Sequence, residues 1–180
     1  RLQKDNEALV EIAAALRSTP GSKDLKEIKA SLESLQACTA IYGELQKVVE
    51  AALGRVRDLR EIDSEDERAR DLRDTIEKLR DRFTEAAGKP RPAFLAHNHQ
   101  AVQTSLTTAR SDAGALAKEL SGAADVCERK AEKAAEKGSS VKGPFGFSVG
   151  LGGDKKKAEK YRNLTEGFRK LAEQARAQSK

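Results

Sequence analysis

The fold turns on one stretch, "REIDSEDERARDLRD" (Arg60–Asp74). Upstream of it Leu25, Ile28, Leu32, Leu35, Cys38, Tyr42, Leu45, Val49, Ala52, Val56, Leu59 and Ile62 step by three and four. Downstream the stepping resumes at Ala69, Leu72, Ile76, Leu79 and Phe83. Such spacing lines up side chains on one stripe of an α-helix. Between the two stripes the chain either stays helical or turns back. Ser64 followed by Glu67 has the spacing of a capping box, which favours a new start. Against a turn, the stretch has neither Gly nor Pro, and opposite charges at helical spacing suit an exposed, unbroken helix. The reading adopted is one helix over 24–87, roughly 95 Å long at about 1.5 Å per residue.

Working outward, "RSTPGS" (Arg17–Ser22) separates that helix from an earlier one over 2–16, whose Leu2, Leu9, Ile12 and Leu16 share a face. Pro20 cannot continue a helix, and Ser22 or Asp24 can cap the next. On the other side, "AAGKPRPAFLAHN" (Ala86–Asn98) ends the long helix with Gly88, Pro90 and Pro92. A helix over 98–137 follows, with Val102, Leu106, Ala109, Ala113, Leu116, Leu120, Ala123, Cys127 and Ala134 on its stripe. After a glycine-rich loop over 138–154, a last helix over 155–178 turns Ala158, Tyr161, Leu164, Phe168, Leu171 and Ala175 inward.

Composition agrees with this outline. Of 180 residues 38% are hydrophobic but only 4% aromatic, while 35% are charged, with four prolines and no Trp or Met. So few large side chains fill thin seams between helices rather than a thick core. The expected fold is all-α, a single elongated antiparallel helical bundle over 1–180, with a long central hairpin and the glycine-rich loop before the last helix. If the hairpin turns near residue 91, residue n of the third helix lies level with about 182 − n of the second. The first helix then covers the lower part of the hairpin and the fourth the upper part.

Charge is uneven. From Glu128 to Lys180 there are 14 Lys and Arg against 7 Asp and Glu, a local +7 in a chain of net +5. A basic third can face nucleic acid, but no aromatics are interleaved for base stacking and no reading motif appears, which argues against that partner. A solvated face explains the charge. No apolar run reaches the length of a membrane span and no signal peptide is visible. The start at Arg1 reads as a trimmed or mature fragment.

"EKGSSVKGPFGFSVGLGGDKKKAEK" (Glu136–Lys160) is glycine-rich and precedes a basic helix, which invites a phosphate-loop reading. The G-K-[ST] ending is missing, and Asp154 reads as a helix cap instead. Phe145, Phe147, Val149 and Leu151 share a parity, so they can plug the seam where helices change partners. The alternative, second to the plug, is that a loop of this length is a partner-binding element. Cys38 and Cys127 suggest a disulfide if the chain is extracellular. The layout opposes it: Cys127 lies level with residue 55, roughly 25 Å from Cys38, whereas a bridge needs Cα atoms within about 7 Å. Both cysteines also fit their stripes as small buried residues.

His97 and His99 stand two apart at the start of a helix, where side chains do not face each other, so they read as a surface tip rather than a metal site. No nucleophile elbow, paired-carboxylate motif or metal signature occurs, so no enzymatic activity and no cofactor are expected. Asn163-Leu164-Thr165 is the one N-x-[ST] sequon, and Asn163 lies off the apolar face, where a glycan has room.

The alanine-rich run "TTARSDAGALAKELSGAADVCERKAEKAAEK" (Thr107–Lys137), with its "AEKAAEK" repeat of small and charged residues, resembles the elongated bundles of trypanosome surface proteins. These include the glutamate- and alanine-rich coat proteins and the haptoglobin–haemoglobin receptor. The resemblance extends over most of 24–180 as a pattern and rests on no diagnostic motif. It implies a lipid-anchored surface antigen or receptor, glycosylated, whose anchor lies outside this sequence and which meets a protein partner or host ligand at its membrane-distal tip. The alternative is a cytoplasmic coiled-coil scaffold or cytoskeletal adaptor, which accounts equally well for charged helices and two thiols.

Overall fold

The structure is a computed structural model of the chain; it describes residues 22–139 and 152–180. Five helices make up these segments: α1 (Ser22–Ile62), α2 (Glu67–Ala87), α3 (Pro90–Leu95), α4 (His99–Ser139) and α5 (Gly152–Ala177). No strand occurs among the described residues. The all-α bundle expected from the periodicity is what forms. The expected helix over 2–16 and the apolar set Phe145, Phe147, Val149 and Leu151 lie outside the described residues.

The continuous helix over 24–87 does not form. The chain leaves α1 after Ile62 and starts α2 at Glu67. Asp66 is the cap: its backbone is extended (φ −68°, ψ 102°) and its carboxylate accepts from the Arg68 N–H at 3.2 Å. The Asp63 N–H still reaches the Leu59 carbonyl at 3.1 Å, and the Asp66 N–H closes onto the Asp63 carbonyl at 3.3 Å. The turn thus closes on backbone bonds of its own at both ends, without Gly or Pro. Its cause is burial. Folded back, α2 turns Ala69, Ile76 and Phe83 into the core, none of them exposed. The Tyr42 and Phe83 rings meet with centroids 6.1 Å apart, which sets α1 and α2 antiparallel.

This turn reverses the expected direction of α4. Ser31 meets His99, Cys38 meets the Ser105 carbonyl, Tyr42 meets Asp112 and Asp63 meets Lys130. Residue numbers rise together, so α1 and α4 run parallel, offset by 67 to 70 positions. The antiparallel register of 182 − n is thus corrected. α5 returns antiparallel, with Arg169 beside Glu128 and Tyr161 beside both Asp63 and Lys130. The long helices form an up-down-up-down bundle. α1 and α4 touch from Ser31 and His99 at one end to the turn at Asp63 and Lys130 at the other, α2 packs mainly on α1, and α5 mainly on α4.

Small side chains make the α4–α5 seam. Ala117, Ala124 and Ala131 of α4 and Ala158, Ala172 and Ala175 of α5 are buried, which lets the backbones approach closely. Larger groups, Leu116, Leu120, Leu164 and Phe168, fill the spaces between them. α5 ends level with the middle of α4, where Ser179 lies 4.0 Å from the position a Cβ on Gly114 would take. Beyond that level a second, smaller core of Ile28, Phe94 and Val102 joins α1, α3 and α4. α5 thus covers the half of the bundle around the 63–66 turn, not the part near residue 91 that the layout assigned to the last helix, because the turn at 63–66 reverses the register. Leu25, counted on the α1 stripe, is 55% exposed.

Candidate functional site

Three polar clusters lie between the helices, and each is built from residues at stripe positions or turns. The most buried centres on Asp112, which has no exposed surface. It occupies α4's inward face between Ala109 and Leu116, where the helical repeat aims it at α1 and α2. The Tyr42 hydroxyl donates to Asp112 Oδ2 at 3.0 Å, and the Arg82 guanidinium donates to Oδ1. One carboxylate therefore ties α1, α2 and α4 together. Burial pushes the Tyr42 phenol up, the nearby Cys38 adds to this, and Arg82 opposes it.

The second cluster sits on the α1–α2 turn. Lys130 of α4 donates to Asp63 Oδ2 at 3.1 Å and also to Asp66. Its ammonium lies 5.7 Å from the centre of the Tyr161 ring, with Lys157 at 6.0 Å on the same ring. Tyr161 Oη reaches Asp63 Oδ2 at 3.5 Å. The Lys130 hydrogen bond holds the Asp63 carboxyl below its ordinary range despite partial burial. Burial alone would lower Lys130, but the bonds to Asp66 and Asp63 outweigh it and the net shift is upward. Burial drives the Tyr161 phenol up to about 12, against the opposing field of Lys130. The five groups, two carboxylates and two ammoniums around one phenol, form one charge-balanced knot that joins the turn to α4 and α5.

The third cluster is at the opposite end. Ser31 Oγ and His99 Nδ1 lie 2.6 Å apart, joining α1 to the start of α4. Asn98 caps that helix, its Oδ1 accepting from the Ala101 N–H at 3.0 Å. His97 adopts φ 56° in the turn and its ring meets that of His99 edge-on at 6.5 Å. The two histidines read from the sequence as an exposed tip therefore divide: His97 is exposed, whereas His99 is half-buried and stitches helices. No metal-ligating cluster occurs among the described residues.

Cys38 and Cys127 are free and buried. Cys38 is level with Ser105, about 22 residues and roughly 33 Å along α4 from Cys127, so the distance again forbids a bridge, now for a different layout. Burial raises the Cys38 thiol and takes that of Cys127 up to about 11, where it stays protonated and unreactive at neutral pH. Asn163 is exposed on α5, while Thr165 of the same sequon is 4% exposed and bonds the Tyr161 carbonyl at 2.9 Å. The sequon thus stands in mid-helix rather than in the surface loop that usually carries a glycan.

Sequence reasoning missed Asp112 and the Lys130 knot. A carboxylate at a stripe position was the available signal for the first. For the second there was none, because it depends on the turn. No helix among the described residues is long and apolar enough to cross a membrane. Comparison of the chain with protein families, characterised proteins and solved structures finds no match.

Proposed function

We propose that this bundle is a non-enzymatic cell-surface coat or receptor module that acts through protein–protein or host-interface contacts. The observation that carries this reading is how its buried and half-buried polar groups are used. Asp112, Tyr42, Asp63, Asp66, Lys130, Ser31 and His99 are engaged helix to helix. Among the described residues no buried side-chain nitrogen or oxygen lacks a partner. Groups committed in this way stiffen a bundle and set its register, which suits a rod presenting surfaces to a partner. An anchor outside this sequence belongs to the same proposal.

A cytoplasmic scaffold or cytoskeletal adaptor is the second reading, and the two free, buried thiols favour it, since reduced cysteines are the norm in that compartment. Membrane-impermeant biotinylation of intact cells that make the protein separates the two. The surface reading expects labelling of exposed lysines and shaving by added protease. Protection until the cells are permeabilised would decide for the scaffold.

A further inference from the structure

Where charged groups of different segments meet in this bundle, each cation faces a carboxylate: Arg82 faces Asp112, Lys130 faces Asp63 and Asp66 of the turn, and Arg169 faces Glu128. The shallow cleft between α1 and α5 is balanced too, with Arg55 and Lys160 against Asp58 and Glu61. The cleft between α1 and α2 departs from this rule. It has a volume of about 410 Å³, with Leu53 and the buried Val56 in its lining. Arg57 and Arg60 line it from α1, one turn apart, and Arg73 and Arg80 line it from α2, two turns apart.

The carboxylates of the cleft do not neutralise this set. Glu77 is taken by Arg73 of its own helix at 2.9 Å, and Arg80 holds Asp81 outside the cleft at 3.2 Å. Glu50 also lines the cleft. Arg57 and Arg60 enter no ion pair among the described residues. Guanidiniums set on both walls of one cleft repel each other, a cost that a shared anion removes. Arginine's planar fork suits phosphate oxygens in paired hydrogen bonds. Two turns of helix extend over roughly 11 Å, more than a single phosphate can bridge.

We propose that this cleft binds a compact ligand carrying two or more linked phosphate groups. The site is independent of the surface or scaffold reading above, because it rests on the α1–α2 hairpin alone. The apolar lining, Leu53 and Val56, excludes water beneath the phosphates and strengthens their pairing with the guanidiniums.

Calorimetry with inorganic tripolyphosphate in about 0.15 M salt tests this, with inorganic monophosphate alongside. Tripolyphosphate should bind, and monophosphate at least about tenfold more weakly, because it cannot span the two turns between Arg73 and Arg80. The double variant Arg57→Ala with Arg60→Ala should lose about tenfold or more in tripolyphosphate affinity. Lys118→Ala with Arg162→Ala, which removes the same charge from exposed sites on α4 and α5, should stay within about twofold. Methyl resonances of Leu53 and Val56 in the unaltered chain should shift on titration, a readout that needs no variant. Absent binding, equal losses in the two double variants, equal affinity for monophosphate, or shifts confined to other methyls would each overturn the proposal.

Discussion

At the residue scale, Asp112 has the largest expected effect on stability. It is a fully buried carboxylate whose two oxygens serve different helices. Removing it leaves the Tyr42 hydroxyl unpaired in the core, whereas Arg82, whose side chain is 53% exposed, can return to water. Asp112→Ala should therefore cost about 2–4 kcal/mol in denaturant unfolding. Tyr42→Phe leaves the Arg82 pair intact and should cost about 1 kcal/mol. Equal effects from the two substitutions would mean that the carboxylate does not join three helices.

Protonation at the turn makes a second residue-scale prediction. Tyr161 is held neutral up to about 12, and Tyr42 is also shifted upward. A phenol whose folded value exceeds its unfolded value of about 10 supports the fold fully below that pH. The support disappears as pH rises from about 10 towards 12. Lys130, raised by its two aspartates, acts in the same direction over a similar range. Asp63, lowered by Lys130, acts at the other end, its contribution present above about 4 and lost as acid protonates it. Tyrosinate absorbance should consequently appear only together with loss of helix signal in an alkaline titration. Ionisation of both tyrosines near pH 10 in a chain still folded would contradict the burial described here.

At the element scale, the four residues 63–66 decide between a hairpin and a rod. Asp66 caps α2, and Asp63 and Asp66 both hold Lys130. Replacing Asp63, Ser64, Glu65 and Asp66 together by Ala removes the cap and the anchor while adding strong helix formers. α1 and α2 should then fuse in part of the population, and a fused helix can bury its α2 stripe only on a second copy. Size-exclusion with light scattering should show a swapped dimer more abundant than in the parent chain. A variant no more dimeric than the parent would show that packing alone makes the turn. The turn was partly legible. Residues 63–68 are six consecutive polar or charged positions with no stripe residue, and Asp63 with Glu67 places like charges four apart. The absence of Gly and Pro weighed too heavily in the sequence reading, because an aspartate cap closes a turn as well as glycine does.

At the scale of the whole molecule, α1 and α4, 41 residues each and staggered along the axis by about nine residues, set the long dimension, roughly 75 Å at about 1.5 Å per residue. A continuous helix over 24–87 would have extended it to about 95 Å. Small-angle scattering of the chain should give an elongated particle near the shorter length. A maximum dimension near the longer one, or a compact sphere, would each contradict the four-helix arrangement.

The stripes themselves followed from sequence with little loss. Nearly every residue placed inward on α4 and α5, from Val102 to Ala134 and from Ala158 to Ala175, is buried, Leu106 being half-buried. Periodicity is a local property, carried by spacing along one helix, so the sequence by itself determined which faces are apolar and that the fold is helical. Tertiary structure alone decided the rest: that α1 and α4 run parallel, that Asp112 and Lys130 become knots between helices, and that four arginines line one cleft. Direction and register depend on whether the chain turns at residues 63–66. That choice is settled by the burial of α2's Ile76 and Phe83 against distant helices, an energy to which no short stretch of sequence has access.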